Sequence, residues 1–144
     1  MTLYTIGWAQ RPARDLFEVL REVSLEQVID IRLRNTGQLA GYTKRVDLEF
    51  FVTELLDATY VHEPLLAPTD ELLDGLRLGR LTWDEYEPRF LALLRERRVQ
   101  EVLSPTLIAS RSVLLCTEPT PDHCHRRLVA EHLTSAWGGG VAHL

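Results

Sequence analysis

Val28-Ile29-Asp30-Ile31-Arg32 is a short apolar run with one acid inside it and a base directly after it. Successive side chains of a strand point to opposite faces. A strand that is apolar at consecutive positions is therefore covered on both sides, as in a parallel sheet with helices above and below. Working outward from it, the chain alternates. Upstream, Leu3-Tyr4-Thr5-Ile6 reads as a first strand stopped by Gly7. Between the two, Leu16, Phe17, Val19, Leu20 and Val23 form a helical stripe over Asp15–Val23, with Pro12 where a first turn tolerates it.

Downstream, Asn35–Tyr42 is a polar loop containing Gly37 and Gly41, and Leu48, Phe51, Val52, Leu55 and Leu56 restore helical spacing over Asp47–Leu56. Thr59-Tyr60-Val61-His62 reads as a third strand closed by Pro64. Helices follow near Asp70–Leu78 and Trp83–Arg97. Thr82 with Glu85 three residues later fits a capping box, and Pro88 sits in the first turns or kinks the helix. Val113-Leu114-Leu115-Cys116 is a fourth strand, followed by a loop stiffened by Pro119 and Pro121. Asp122 is the expected cap of a helix from His123 to about Ala136. Gly138-Gly139-Gly140 ends it and leads to a last strand, Val141-Ala142-His143. The pattern predicts an α/β fold: a mostly parallel sheet of about five strands with helices on both faces, Rossmann-like in its three layers, with right-handed crossovers.

The 144 residues, 45% hydrophobic and 26% charged, fit one domain over residues 1–144. The net charge of −5 argues against binding nucleic acid through general phosphate attraction. No apolar stretch approaches the ~20 residues of a membrane helix. Cys116 and Cys124 are the only cysteines and nothing reads as a signal peptide, so a reducing cytoplasm is expected, with both thiols free.

Polar residues collect where the strands end: Gly7, then Asp30 and Arg32, then His62 and Glu63, then Cys116 and Glu118. Open α/β sheets bind ligands outside the carboxyl ends of their strands. The segment Cys116–Arg127 is the richest of these ends. With Asp122 as cap, His123, Cys124 and His125 fall in the first helical turn, where free N–H groups and the helix dipole favour an anion and lower the pKa of a thiol. Cys124 is then a candidate nucleophile, His125 or His123 a proton carrier, and Arg126 an anion clamp. Buried packing is the competing role for the cysteine.

A metal is the other alternative, but Cys116-x7-Cys124-His125 is not a standard zinc spacing. Helical neighbours also point about 100° apart, which hinders shared ligation by Cys124 and His125. No metal is therefore expected, and no cofactor motif is present: there is no phosphate-loop lysine, no G-x-G-x-x-G and no G-x-S-x-G. Asp30 is costly to bury unpaired, and Arg32 or Arg126 is its natural partner. Arg32, Arg34, Lys44 and Arg45 surround the 35–43 loop as a solvated or phosphate-facing rim. Trp8, Trp83 and Tyr86 read as core or rim aromatics.

Taken in order, Tyr4-Thr5-Ile6-Gly7, Val28–Arg32, Ala40-Gly41-Tyr42-Thr43-Lys44, Ala67-Pro68-Thr69, Leu115–Glu118 and Cys124-His125-Arg126-Arg127 resemble the domain-of-unknown-function 488 family over essentially the whole chain. The resemblance implies an α/β fold and names no activity. By position it singles out Gly7, Asp30, Arg32, Cys116, Glu118, Cys124, His125 and Arg126. The chain departs from the family pattern at Trp8, where the family commonly has histidine.

The combined expectation is an enzyme for a small anionic or nucleotide-like ligand bound at the C-terminal edge of the sheet. In it Cys124, Asp30, Glu118 and His125 are catalytic, and Arg32, Arg126, Gly7 and Cys116 bind ligand. A non-catalytic ligand- or partner-binding module, with Asp30, Arg126 and Glu118 as a salt-bridge network, is the alternative. A nucleic-acid-modifying role is the third.

Overall fold

Five strands form one sheet: β1 (Thr2–Gly7), β2 (Gln27–Asp30), β3 (Thr59–His62), β4 (Ser112–Cys116) and β5 (Gly140–His143). Their order across the sheet is β3-β2-β4-β1-β5, and every neighbouring pair is parallel. The computed structural model describes the backbone of residues 1–144 and every side chain except those of residues 38–40.

The chain moves the same way across the sheet from β1 to β2 to β3, then reverses. Right-handed crossovers consequently put the first two connections on one face and the rest on the other. α1 (Ala13–Glu22) and α2 (Arg45–Leu56) cover the first face, where Leu16, Phe17, Leu20, Leu48 and Val52 meet Ile6, Val28, Val113 and Leu115. The opposite face carries α3 (Asp70–Arg77), α4 (Trp83–Glu96), α5 (Val99–Val102) and α6 (His125–Trp137). There Phe90, Leu94, Leu128, Val129 and Leu133 pack with Leu3, Ile29, Ile31 and Leu114. All five residues of β4 are buried, as an inner strand with two covered faces requires.

The capping box of α4 is present in both directions. The Glu85 amide donates to Thr82 Oγ1 at 3.2 Å, and the Thr82 amide donates to the Glu85 carboxylate at 3.2 Å. Pro88 lies inside α4 and cannot donate to the carbonyl four residues back. The short α5 and the 3₁₀ turns at Pro64–Leu66 and Pro105–Ile108 have no sequence period to announce them. The expected loop before α2 winds in 3₁₀ turns over Gln38–Thr43, with Gly41 at φ 55° and ψ −127°, a conformation that excludes a β-carbon without strain.

One helix start differs from expectation, and the difference matters for the site. α6 begins at His125, not His123, and Cys124 rather than Asp122 stands at its N-cap. The Cys124 amide donates to the Pro121 carbonyl at 3.2 Å, closing a turn that delays the helix. Cys124 is left in extended backbone, with φ −130° and ψ 136°, so its side chain leaves the chain on a different bearing from a helical residue. Among the described residues, no helix is long and apolar enough to cross a membrane.

Candidate functional site

The register brings the strand ends level. Asp30 pairs with His62 on one side and Leu115 on the other, while Cys116 pairs with Gly7 one step further along. Asp30 is fully buried and Arg32 nearly so, at 0% and 4% exposure. Two parallel bonds of 2.9 Å join them, Arg32 Nε to Asp30 Oδ1 and Arg32 Nη2 to Oδ2. The Arg32 amide donates to Oδ1 as well, and Tyr60 Oη–H (2.5 Å) and Asn35 Nδ2–H (3.3 Å) donate to Oδ2. The guanidinium also donates to the Thr43 hydroxyl and carbonyl. Burial alone would push the Asp30 carboxyl up; the bonds and charge of Arg32, with Tyr60, outweigh it and hold the carboxyl below its usual range. His62 Nε2–H donates to the Arg32 carbonyl at 2.8 Å. Of the expected cationic rim, Arg32 is thus turned inward, and Arg34 is held by Asp70 and Asp74.

Arg126 does not join Asp30. It is completely buried, and its Nη1 donates to the backbone carbonyl of Glu118, not to the carboxylate. Its Nε and Nη2, with Trp8 Nε1, are buried without a hydrogen-bond partner among the described residues. A salt-bridge network of Asp30, Arg126 and Glu118 is therefore not what the fold builds. Gly7 is where this corner closes. A β-carbon there would lie 1.6 Å from the Glu118 carbonyl oxygen and 2.2 Å from Arg126 Nη1. The amides of Trp8 and Ala9 then donate to the carbonyls of Cys116 and Thr117, at 3.1 and 2.9 Å, so β1 grips the segment that follows β4.

Cys116 at the end of β4, Cys124 at the α6 N-cap and His125 in its first turn converge. Their donor atoms all lie within 4.8 Å of one another, and all three residues are buried. The geometric objection to Cys124 and His125 sharing a target fails because Cys124 is not helical. His125 Nε2 lies 2.8 Å from the Ile31 carbonyl, which can only accept, so Nε2 carries the proton. In the neutral ring Nδ1 is then the free nitrogen; it lies 3.4 Å from Cys116 Sγ. The edge of Phe90 meets the His125 ring at 5.4 Å and 67°.

The expected lowering of the Cys124 pKa is overturned. A hydrogen bond from Cys124 lowers the Cys116 thiol against its own burial, helped by the Thr117 amide and the charge of Arg126. Cys124, which keeps its proton for that bond and is buried, is raised well above the usual thiol range.

A cavity of about 310 Å³ opens over this cluster. Cys116, Cys124 and His125 line its inner end, with Tyr86 and Arg32. Glu118, His123, Arg34 and Arg77 line the exposed part, and His123 stacks on Trp83 with centroids 5.2 Å apart. Of the expected residues, Cys116, Glu118, Cys124, His125 and Arg32 therefore share one cavity; Asp30, Gly7 and Arg126 stand behind its wall. Arg77 and Tyr60 were not among the expected site residues, whereas His123 was expected as an alternative proton carrier to His125. Arg77 reaches the cavity from a helix whose sequence carries no motif.

The model of the family described as domain of unknown function DUF488 matches residues 12–133. The chain belongs to the DUF488 family. The match takes in Asp30, Arg32 and the whole of Cys116–Arg127, while Gly7 and Trp8 lie outside it. The indole of Trp8 packs against the α1–α2 core of this DUF488 chain. No curated protein and no solved structure matches the chain.

Proposed function

We propose that this protein is an enzyme acting on a small anionic ligand, whose reactive centre is the Cys116–Cys124–His125 cluster. The observation that carries this reading is the coincidence of that cluster with the inner end of a ligand-sized cavity, at the carboxyl ends of β2 and β4. Three side chains able to act as nucleophile, base or ligand meet there. Several features favour an anion. Arg77 stands at the exposed part of the cavity, and α6 begins beside it, so its dipole and first amides present positive charge. Glu118, exposed at the same mouth, would exchange protons with a bound ligand.

Trp83 supplies the test, because its ring stacks on the cavity residue His123. Phosphate, pyrophosphate, nucleoside monophosphates and dicarboxylates are titrated while tryptophan fluorescence is recorded. At least one should give a saturable change that disappears in Trp83→Phe. Arg77→Ala should weaken it about 10-fold, the loss of one charged hydrogen bond. Product analysis of the bound ligand should show turnover that Cys116→Ser abolishes. A panel without a binder, or a binder indifferent to Arg77→Ala, removes the reading.

A further inference from the structure

The geometry points to a metal centre: Cys116, Cys124 and His125 form a three-donor site for a zinc-like divalent ion, with the fourth position open to the cavity. The inference rests on reading the cavity as an active site and says what the cluster does there.

Four observations carry it. The three donor atoms lie within 4.8 Å of one another, and the 3.4 Å between Cys116 Sγ and His125 Nδ1 is close to the spacing of two ligands on one tetrahedral ion. The donor set is two sulfurs and one imidazole nitrogen, which suits zinc and disfavours magnesium or calcium. The tautomer of His125 suits ligation through Nδ1: its Nε2–H is tied to the Ile31 carbonyl at 2.8 Å, and Nδ1 is the ring nitrogen nearer Cys116 Sγ, at 3.4 Å against 3.9 Å. Ligating histidines are held in this way by a backbone carbonyl or a carboxylate. Finally, all three residues line the cavity, so a bound ion would face it. Three protein ligands and one accessible position mark a catalytic rather than a structural zinc site. An anion in the cavity, or a water, would take that position.

Binding of the ion displaces the protons that the two thiols carry, and two thiolates then balance its charge. Chelator-treated protein is titrated with Co²⁺ and, separately, with Zn²⁺. One equivalent of Co²⁺ should give thiolate-to-metal charge transfer together with the visible bands of a tetrahedral ion. One equivalent of Zn²⁺ should abolish that spectrum and protect both cysteines of the wild-type protein from alkylation. Cys116→Ser, Cys124→Ser and His125→Ala should each weaken Zn²⁺ binding by more than the ~10–100-fold that changes behind the ligands cost. Because buried substitutions can unfold the chain, circular dichroism accompanies each variant, and the wild-type protection experiment stands without them. Absence of charge transfer, protection of one cysteine only, or unchanged Zn²⁺ affinity in a folded variant overturns the metal centre. The cavity reading then survives if anions still bind the metal-free protein through Arg77, and falls separately if they do not.

Discussion

Asp30 is legible in the sequence as a buried acid that needs a partner, and not as an acid with several. An acid inside an apolar strand announces itself, and so does the need for a partner two residues on. What the sequence cannot reveal is how many donors converge on it. Tyr60 and Asn35 come from separate segments and, with Arg32, occupy its oxygens, leaving little for a ligand. Asp30→Asn should cost about 3–5 kcal/mol in denaturant unfolding, because it strands the buried Arg32 charge. The pH dependence has a definite sign. The folded-state pKa lies below the ordinary value of 3.8, so the pair's contribution is complete above that pH. It is lost as pH falls through the depressed folded value. Wild-type stability should therefore drop steeply below about pH 4, with part of that slope missing in Asp30→Asn; parallel curves would show that the carboxylate is not the group responsible.

Helix starts decide where the chemistry sits, and they were read with unequal success. At α4 the local sequence suffices: Thr82 and Glu85 satisfy each other's backbone amides, with no distant residue involved. Thr82→Ala should destabilise the fold by about 1 kcal/mol, measured by chemical denaturation. It should also perturb the cavity, because Trp83 and Tyr86 ride on the first turn of that helix. A cost below a few tenths of a kcal/mol would mean the cap is idle. At α6 the same local logic misplaces the cap, since an aspartate followed by a helical pattern is the usual signal. The turn closed by Pro121 and Cys124 overrides it and shifts the helix by two residues. That shift brings two neighbours expected to point apart together beside Cys116.

At the scale of the whole molecule, the alternation of strands and helices was enough for the layers, because apolar strands at consecutive positions need cover on both faces. The strand order was not written there, since no local pattern says which gap a later strand will fill. Nor was the close approach at Gly7, which joins three distant segments: β1, the chain after β4, and Arg126 on α6. Gly7→Ala forces a methyl group to within 1.6 Å of the Glu118 carbonyl oxygen, so the backbone must move. The expected loss is about 3 kcal/mol or more by denaturant unfolding. The thiols should also become easier to alkylate, as the segment carrying Cys116–Glu118 is displaced. Wild-type stability in this variant would mean the three segments are not rigidly coupled.

The order β3-β2-β4-β1-β5 has a consequence in time as well as in space. β4 fills the centre of the sheet, yet it is made only after residue 111, so β1 and β2 wait with an empty slot between them. Both faces of that slot are apolar, and the neighbours it joins are far apart along the chain, which is the arrangement that folds slowly and tends to associate wrongly while it waits. Insertion of β4 is then the step that commits the chain. Because β4 also delivers Cys116, a newly made molecule brings Cys116, Cys124 and His125 together only when its sheet closes.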